Sequence, residues 1–234
     1  MPNEIEGVKF VALETATEWC SVALWLDGEI LSLERRAGNR QGEFVLPMLE
    51  SLFKRAGLGM ADLDAIAFGA GPGAFTGLRI ACGVAQGLAY SHDLPVIGVS
   101  TLEATAEESG SSRAVVALDA RMHEVYYSAY EKRDGKWHVV LPERCVPPDA
   151  VDIPPGAGWL GCGSGFEAYA DRIMPRLAGS LGRVAPQVRP SAVAVARLAA
   201  PRLAAGEGAD AALATPNYIR DKVALKSSEQ GKGK

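Results

Sequence analysis

Three turns carry the residues best suited to chemistry. The first is Gly71-Pro72-Gly73, entered by the apolar run Ala65–Phe68 and left by a segment of helical periodicity, Gly77–Tyr90. That is a strand, a tight loop and a helix start, with Thr76 as the expected N-cap. Backbone N–H groups at such a junction point beyond the strand end and are able to hold phosphate. The same glycines would equally permit a turn and let the helix pack closely on the sheet. A second turn, Glu14-Thr15-Ala16-Thr17, follows the apolar run Val8–Leu13. Glu14, Thr15, Gly71 and Gly73 make up the candidate cofactor-binding set. The third turn holds Asp119 and Arg121, where ligand-binding folds place polar groups, although a structural role suits them as well. Gly161-Cys162-Gly163-Ser164-Gly165 is a further glycine-rich turn, able to lie near an adenine.

Recognisable catalytic constellations are missing. The chain has no GxxxxGK[ST] phosphate loop, no HExxH and no GxSxG elbow. His92, His123 and His138 each stand alone at a turn or strand end and read as surface residues, since ligand histidines come with partners. Cys20, Cys82, Cys145 and Cys162 form no CxxC pair, which suits buried free thiols in a reducing cytoplasm better than zinc or disulfides. A net charge of −4 argues against a broad basic face that binds nucleic acid unaided. Met1–Glu6 lacks the basic end and apolar core of a signal peptide, and no apolar run is long enough to span a bilayer. The expectation is a cytoplasmic protein without membrane contact.

The elements that must position these turns follow from periodicity. Val8–Leu13, Cys20–Leu26 and Glu29–Glu34 read as a three-stranded antiparallel meander, with Asp27-Gly28 as a hairpin turn. A helix follows over Gly42–Ala56, and its apolar residues cover about half the circumference, wider than one buried stripe. In the helix after the glycine loop, Ile80, Val84 and Leu88 form a ridge beside the small-residue row Gly77, Ala81, Ala85 and Ala89. Interior glycines such as Gly83 and Gly87 cost about 1 kcal/mol each relative to alanine. They suggest that something approaches the helix backbone, either this chain's own layers or a second chain. Pro95–Val99 is a further strand, and a helix runs from Ser100-Thr101 through Glu108.

Ser109–Ser112 divides the chain into a first lobe, 1–109, and a smaller second lobe, 110–189. In the second lobe Ala114–Leu118, Val125–Tyr130 and Trp137–Leu141 repeat the meander pattern, which hints at a duplicated architecture. Four prolines keep 147–155 irregular; Trp159–Cys162 is a short strand, with a helix to about Leu177. A helix over Ala192–Ala205, with Ser191 as N-cap and Pro201 as a kink, is expected to pack back across the lobes as a segment 190–206. The polar tail 227–234 is expected to be disordered.

Taken together, these motifs resemble the TsaB (YeaZ) family. Those that carry the likeness are Phe10–Thr17 with Cys20–Leu24, Gly71–Ile80 with Gln86–Ala89, Val99–Ala104, Leu118–Arg121 with Glu124–Tyr126, and Pro216–Arg220. The resemblance implies an α/β fold of two actin/Hsp70/sugar-kinase-like (ASKHA, RNase H-like) lobes with mixed sheets flanked by helices. It also implies a role in forming N6-threonylcarbamoyladenosine at position 37 of tRNAs that read ANN codons. Such proteins are the non-catalytic partner of the transferase subunit TsaD, work with the ATPase TsaE, and depend on TsaC-type enzymes for threonylcarbamoyl-adenylate. On this reading the chain has no cofactor of its own, ATP or ADP lies at an interface of the complex, and tRNA is met only through the complex. Alone, the chain pairs with a second copy.

In TsaD-like relatives two histidines four apart bind a metal where this chain has Thr101 and Thr105, and Glu14 replaces the family's usual aspartate. The implied partner surface lies on the first two helices, at Phe44, Val45, Met48, Leu49, Leu52, Thr76, Gly77, Ile80, Ala81, Val84, Ala85 and Leu88. Ala85→Glu is then expected to abolish pairing without unfolding the monomer. The competing reading is an independent ATP-binding enzyme of the sugar-kinase/Hsp70 superfamily; a metallopeptidase fails for want of a metal-binding set.

Overall fold

The computed structural model describes residues 7–220, and within them the chain forms two five-stranded mixed sheets flanked by helices. The first sheet contains β1 (Lys9–Glu14), β2 (Trp19–Leu26), β3 (Glu29–Arg36), β4 (Ala65–Gly71) and β5 (Val96–Ser100), in the order β3-β2-β1-β4-β5. β1, β2 and β3 are antiparallel neighbours, whereas β4 and β5 run parallel to β1. Asp27 and Gly28 both take positive φ, 52° and 101°, as a two-residue hairpin turn requires. α1 (Gln41–Ala56), α2 (Phe75–Tyr90) and α3 (Thr101–Glu108) fall between and after the strands.

The second sheet contains β6 (Arg113–Arg121), β7 (Glu124–Arg133), β8 (Lys136–Val146), β9 (Trp159–Cys162) and β10 (Leu181–Ala185). Read as β8-β7-β6-β9-β10 it repeats the order of the first sheet, strand for strand and direction for direction. The duplication hinted at by the two meanders is therefore present in the topology. The helix between the third and fourth strands is missing from the copy: prolines and a short 3-10 turn, Pro148–Ala150, replace it. The helix expected to reach Leu177 is broken at Tyr169 into α4 (Gly165–Ala168) and α5 (Ala170–Leu177). β10 escapes the sequence pattern because it is a short edge strand with exposed Gly182 and Arg183.

Alternation along β1 assigns the helices to faces. Val11 and Leu13 face α1 and α2, in a core with Val45, Leu49, Leu52, Ala81 and Ala85. Phe10 and Ala12 face the other way, onto α6 (Ala192–Ala204), where Ala194, Val195 and Ala199 meet Ala67 and Val99. Ser191 caps α6 by accepting from Ala194 N at 3.1 Å. α3 lies between the sheets: it packs on α6 and β4 of the first lobe and on β6 and β7 of the second. Among the boundaries that differ from expectation, two are instructive. Ala74, not Thr76, is the N-cap of α2, because the extended loop turns helical two residues earlier. β8 runs on through Pro142, Glu143 and Arg144, a strand breaker and two charges that hide its second half. The tail 227–234 lies outside the described residues.

Candidate functional site

The glycine loop is built against the turn that follows β1. Thr15 Oγ1 donates to Gly77 O at 2.7 Å, and Ala74 N donates to Ala16 O at 2.7 Å. A methyl on Gly73 would sit 2.6 Å from the Ala16 Cβ, and one on Gly77 only 1.9 Å from Thr15 O. Contacts that short leave no room for a side chain, so glycine is required there by close backbone approach. The Cα side of Gly73 and Gly77 is thus packed against Ala16 and Thr15. Gly161, Gly163 and Gly165 follow the same logic: added methyls would strike Phe166 or the Ala117 backbone.

Glu14 is turned into the protein and is 1% exposed. Its Oε1 accepts from Ala16 N at 2.6 Å. Neither Oε2 nor the neighbouring Thr101 hydroxyl has a hydrogen-bond partner of ordinary geometry. Burial pushes the Glu14 carboxyl up to about 7, against weaker opposing effects from Ala16 N, Thr101 and Thr15 N. Gly69 makes the arrangement possible, since a methyl there would lie 2.0 Å from Oε2. Thr101 and Thr105 are fully buried on α3, and Thr105 Oγ1 donates back to Thr101 O at 2.8 Å. These hydroxyls serve the interior between the lobes. Among the described residues no cluster of three His, Cys, Asp or Glu is disposed to hold a metal.

An interlobe cleft of about 850 Å³ opens beside the loop. Gly73, Trp19, Arg36, Asp119, Arg121, Tyr126, Arg189 and Arg220 line it, whereas Glu14, Thr15 and Gly71 do not. Its cations are paired: Arg36 with Glu18 at 3.2 Å, Arg121 with Asp119 at 3.1 Å, Arg189 with Glu34 at 2.6 Å, and Arg220 with Glu124. Asp119 also accepts from Arg121 N at 2.8 Å and from Tyr169 OH at 3.1 Å. The β6–β7 turn is left-handed at three successive residues, Arg121, Met122 and His123, with φ of 62°, 54° and 59°. Each costs about 1 kcal/mol or more without glycine. His92, His123 and His138 are exposed and apart; Cys20, Cys82 and Cys162 are buried free thiols, and Cys145 is a half-buried one.

On α1 and α2 the candidate partner surface divides. Val45, Leu49, Leu52, Gly77, Ala81 and Ala85 are buried against the chain's own sheet. Those residues cannot meet a partner in this fold, which corrects half of the expected surface. It also corrects the expectation for Ala85→Glu, because a charge at a fully buried alanine would unfold the monomer. Phe44, Met48, Ile80, Val84 and Leu88 are half-buried, Thr76 is exposed, and Leu46 is 52% exposed. Gly83 and Gly87 face open space. The broad apolar arc is thus a core stripe and an outward stripe on the same two helices.

Sequence reasoning gave Phe75, Arg79 and Tyr218 no role. Arg79 lies 3.9 Å over the Phe75 ring and donates to Tyr218 OH at 3.1 Å, and the Tyr218 ring packs at a tilt against Phe75 with centroids 5.6 Å apart. Two of these residues sit on one turn of α2; the third lies 139 positions away from Arg79, and only the fold joins them.

Comparison with known proteins places this geometry among relatives. A family model described as TsaD, tRNA N6-adenosine threonylcarbamoyltransferase, matches residues 35–158. The tRNA threonylcarbamoyladenosine biosynthesis protein TsaB of Escherichia coli is 36% identical over 94% of this chain and 97% of its own. TsaB of Haemophilus influenzae is 36% identical over 75% of this chain and 80% of its own. The solved structure of YeaZ from Pseudomonas aeruginosa superposes with a TM-score of 0.85 at 38% identity, covering 91% of this chain and 100% of that one.

Proposed function

The chain belongs to the TsaB (YeaZ) family, and from that premise we propose that it is a non-catalytic, activating subunit in the formation of N6-threonylcarbamoyladenosine at position 37 of ANN-decoding tRNAs, paired with a TsaD-type transferase. The observation that carries the pairing is the outward stripe of α1 and α2. Ile80, Val84 and Leu88 remain part-exposed on α2, as do Phe44, Leu46 and Met48 on α1, and Gly83 and Gly87 offer bare backbone for close approach. Part-exposed apolar side chains and bare backbone on two adjacent helices suit a protein partner. The non-catalytic role is supported by the fully buried hydroxyls of Thr101 and Thr105, at the two positions where the family resemblance sets a metal-binding histidine pair in TsaD-like relatives. Neutral hydroxyls are poor substitutes for imidazole toward a transition metal.

This reading gives the chain no cofactor of its own and puts ATP or ADP at the interface made with the partner. That agrees with a glycine loop whose tight turns are accounted for by packing against Thr15 and Ala16. The TsaE ATPase and tRNA are reached through the complex, in the cytoplasm, and the same helical face pairs two copies when the transferase is absent. Reconstitution of tRNA modification from transferase, ATPase and adenylate-forming protein, with and without this chain, tests it. Modification should depend on adding the chain; full activity without it overturns the proposal.

A further inference from the structure

Residues 209–220 leave the α6 region and run as a strap from the first lobe to the second. Ala209 pairs with Val96 through two backbone bonds of 2.8 Å at the start of β5. Ala214 O accepts from Gln86 Nε2 at 3.0 Å and from Cys82 Sγ at 3.4 Å, which fixes the strap along α2. Asn217 N then donates to Ala70 O at 2.6 Å beside the glycine loop, and Tyr218 joins Phe75 and Arg79.

Two residues further on, the strap has changed lobes. Arg220, half-buried, donates to Ala120 O at 3.1 Å and Arg121 O at 3.4 Å, pairs with Glu124, and lies 5.8 Å over the Tyr126 ring. One guanidinium therefore holds the Ala120 and Arg121 carbonyls at the entry to the left-handed turn Arg121–His123. Glu143 makes a second crossing: this β8 carboxylate accepts from Ser100 and from Tyr130 OH at 2.7 Å, with Asn217 Nδ2 at 3.5 Å. The strap also forms a wall of the interlobe cleft.

We propose that residues 209–220 act as a latch, with Tyr218 holding the α2 end and Arg220 the β6–β7 turn, so that the start of α2 and the second-lobe wall of the cleft open and close together. A latch differs from two local contacts in transmitting a loss at one end to the other. Amide hydrogen exchange on the full chain reads this directly in peptides covering 70–82 and 119–126. Arg220→Ala should speed exchange about ten-fold in both peptides, and so should Tyr218→Ala, which removes the hydroxyl that accepts from Arg79. Arg220→Lys keeps the charge beside Glu124 without the fork to two carbonyls and should fall between. If Arg220→Ala fails to fold, Tyr218→Ala carries the test from the exposed end. The proposal is overturned if each substitution alters only the peptide it touches.

Discussion

Glu14 has two carboxyl oxygens in the protein interior and a hydrogen bond to one of them. Its carboxyl is raised from 4.5 to about 7, so the folded state takes up a proton more readily than the unfolded chain. Stability from this group is therefore complete below pH 4.5 and is lost as pH rises to about 7, by something on the order of 3 kcal/mol. Glu14→Gln should remove that slope and unfold at a higher urea concentration than the parent at pH 8; denaturation curves between pH 5 and 8 decide it. A companion prediction concerns Gly69. Its replacement by alanine should cost about 2–3 kcal/mol through the clash with Oε2, and much less in a Glu14→Asp background, as a double-mutant cycle would measure. The sequence marked Glu14 as a departure from the family's aspartate, but not its direction. That depends on Gly69 and Thr101, one on another strand and one on α3, and no local pattern links them.

α2 contains glycines of two physical kinds. Gly77 touches the Thr15 carbonyl, whereas Gly83 and Gly87 touch nothing. Gly77→Ala should then destabilise by about 2–4 kcal/mol. Gly87→Ala should stabilise the isolated chain by about 0.5–1 kcal/mol through helix propensity alone. Urea midpoints for the two variants should move in opposite directions. Gly83→Glu and Gly87→Glu should leave the monomer folded and lose capture by the transferase subunit in a pull-down. Retained capture with an intact fold would place the interface elsewhere. The periodicity of α1 and α2 exposed an apolar arc too wide for one face, which was legible. Which half faced the sheet was not, because Ala81 and Gly83 differ little in hydrophobicity and are separated only by packing.

At the scale of the molecule, the lobes are not consecutive segments of chain. The first sheet ends at Ser100, yet one of its faces is covered by α6, more than 90 residues further on. A fragment of residues 1–109 would expose Phe10, Ala12, Ala67 and Val99 on that face, and it should show no cooperative thermal transition by circular dichroism. Fusing residues 190–206 to it should restore one. Both meanders were legible through Asp27-Gly28 and Asp134-Gly135, whose residues all take positive φ. The exactness of the repeat was hidden by the lost helix and by β10, an edge strand too short and too polar to read. The covering of the first sheet by α6 also sets an order of events during synthesis. At about 5–20 residues per second, the ribosome takes roughly 5–20 s to make the stretch between β5 and the end of α6. Through that interval the nascent first sheet presents an uncovered apolar face, and this half of the molecule is where a chaperone would find the growing chain.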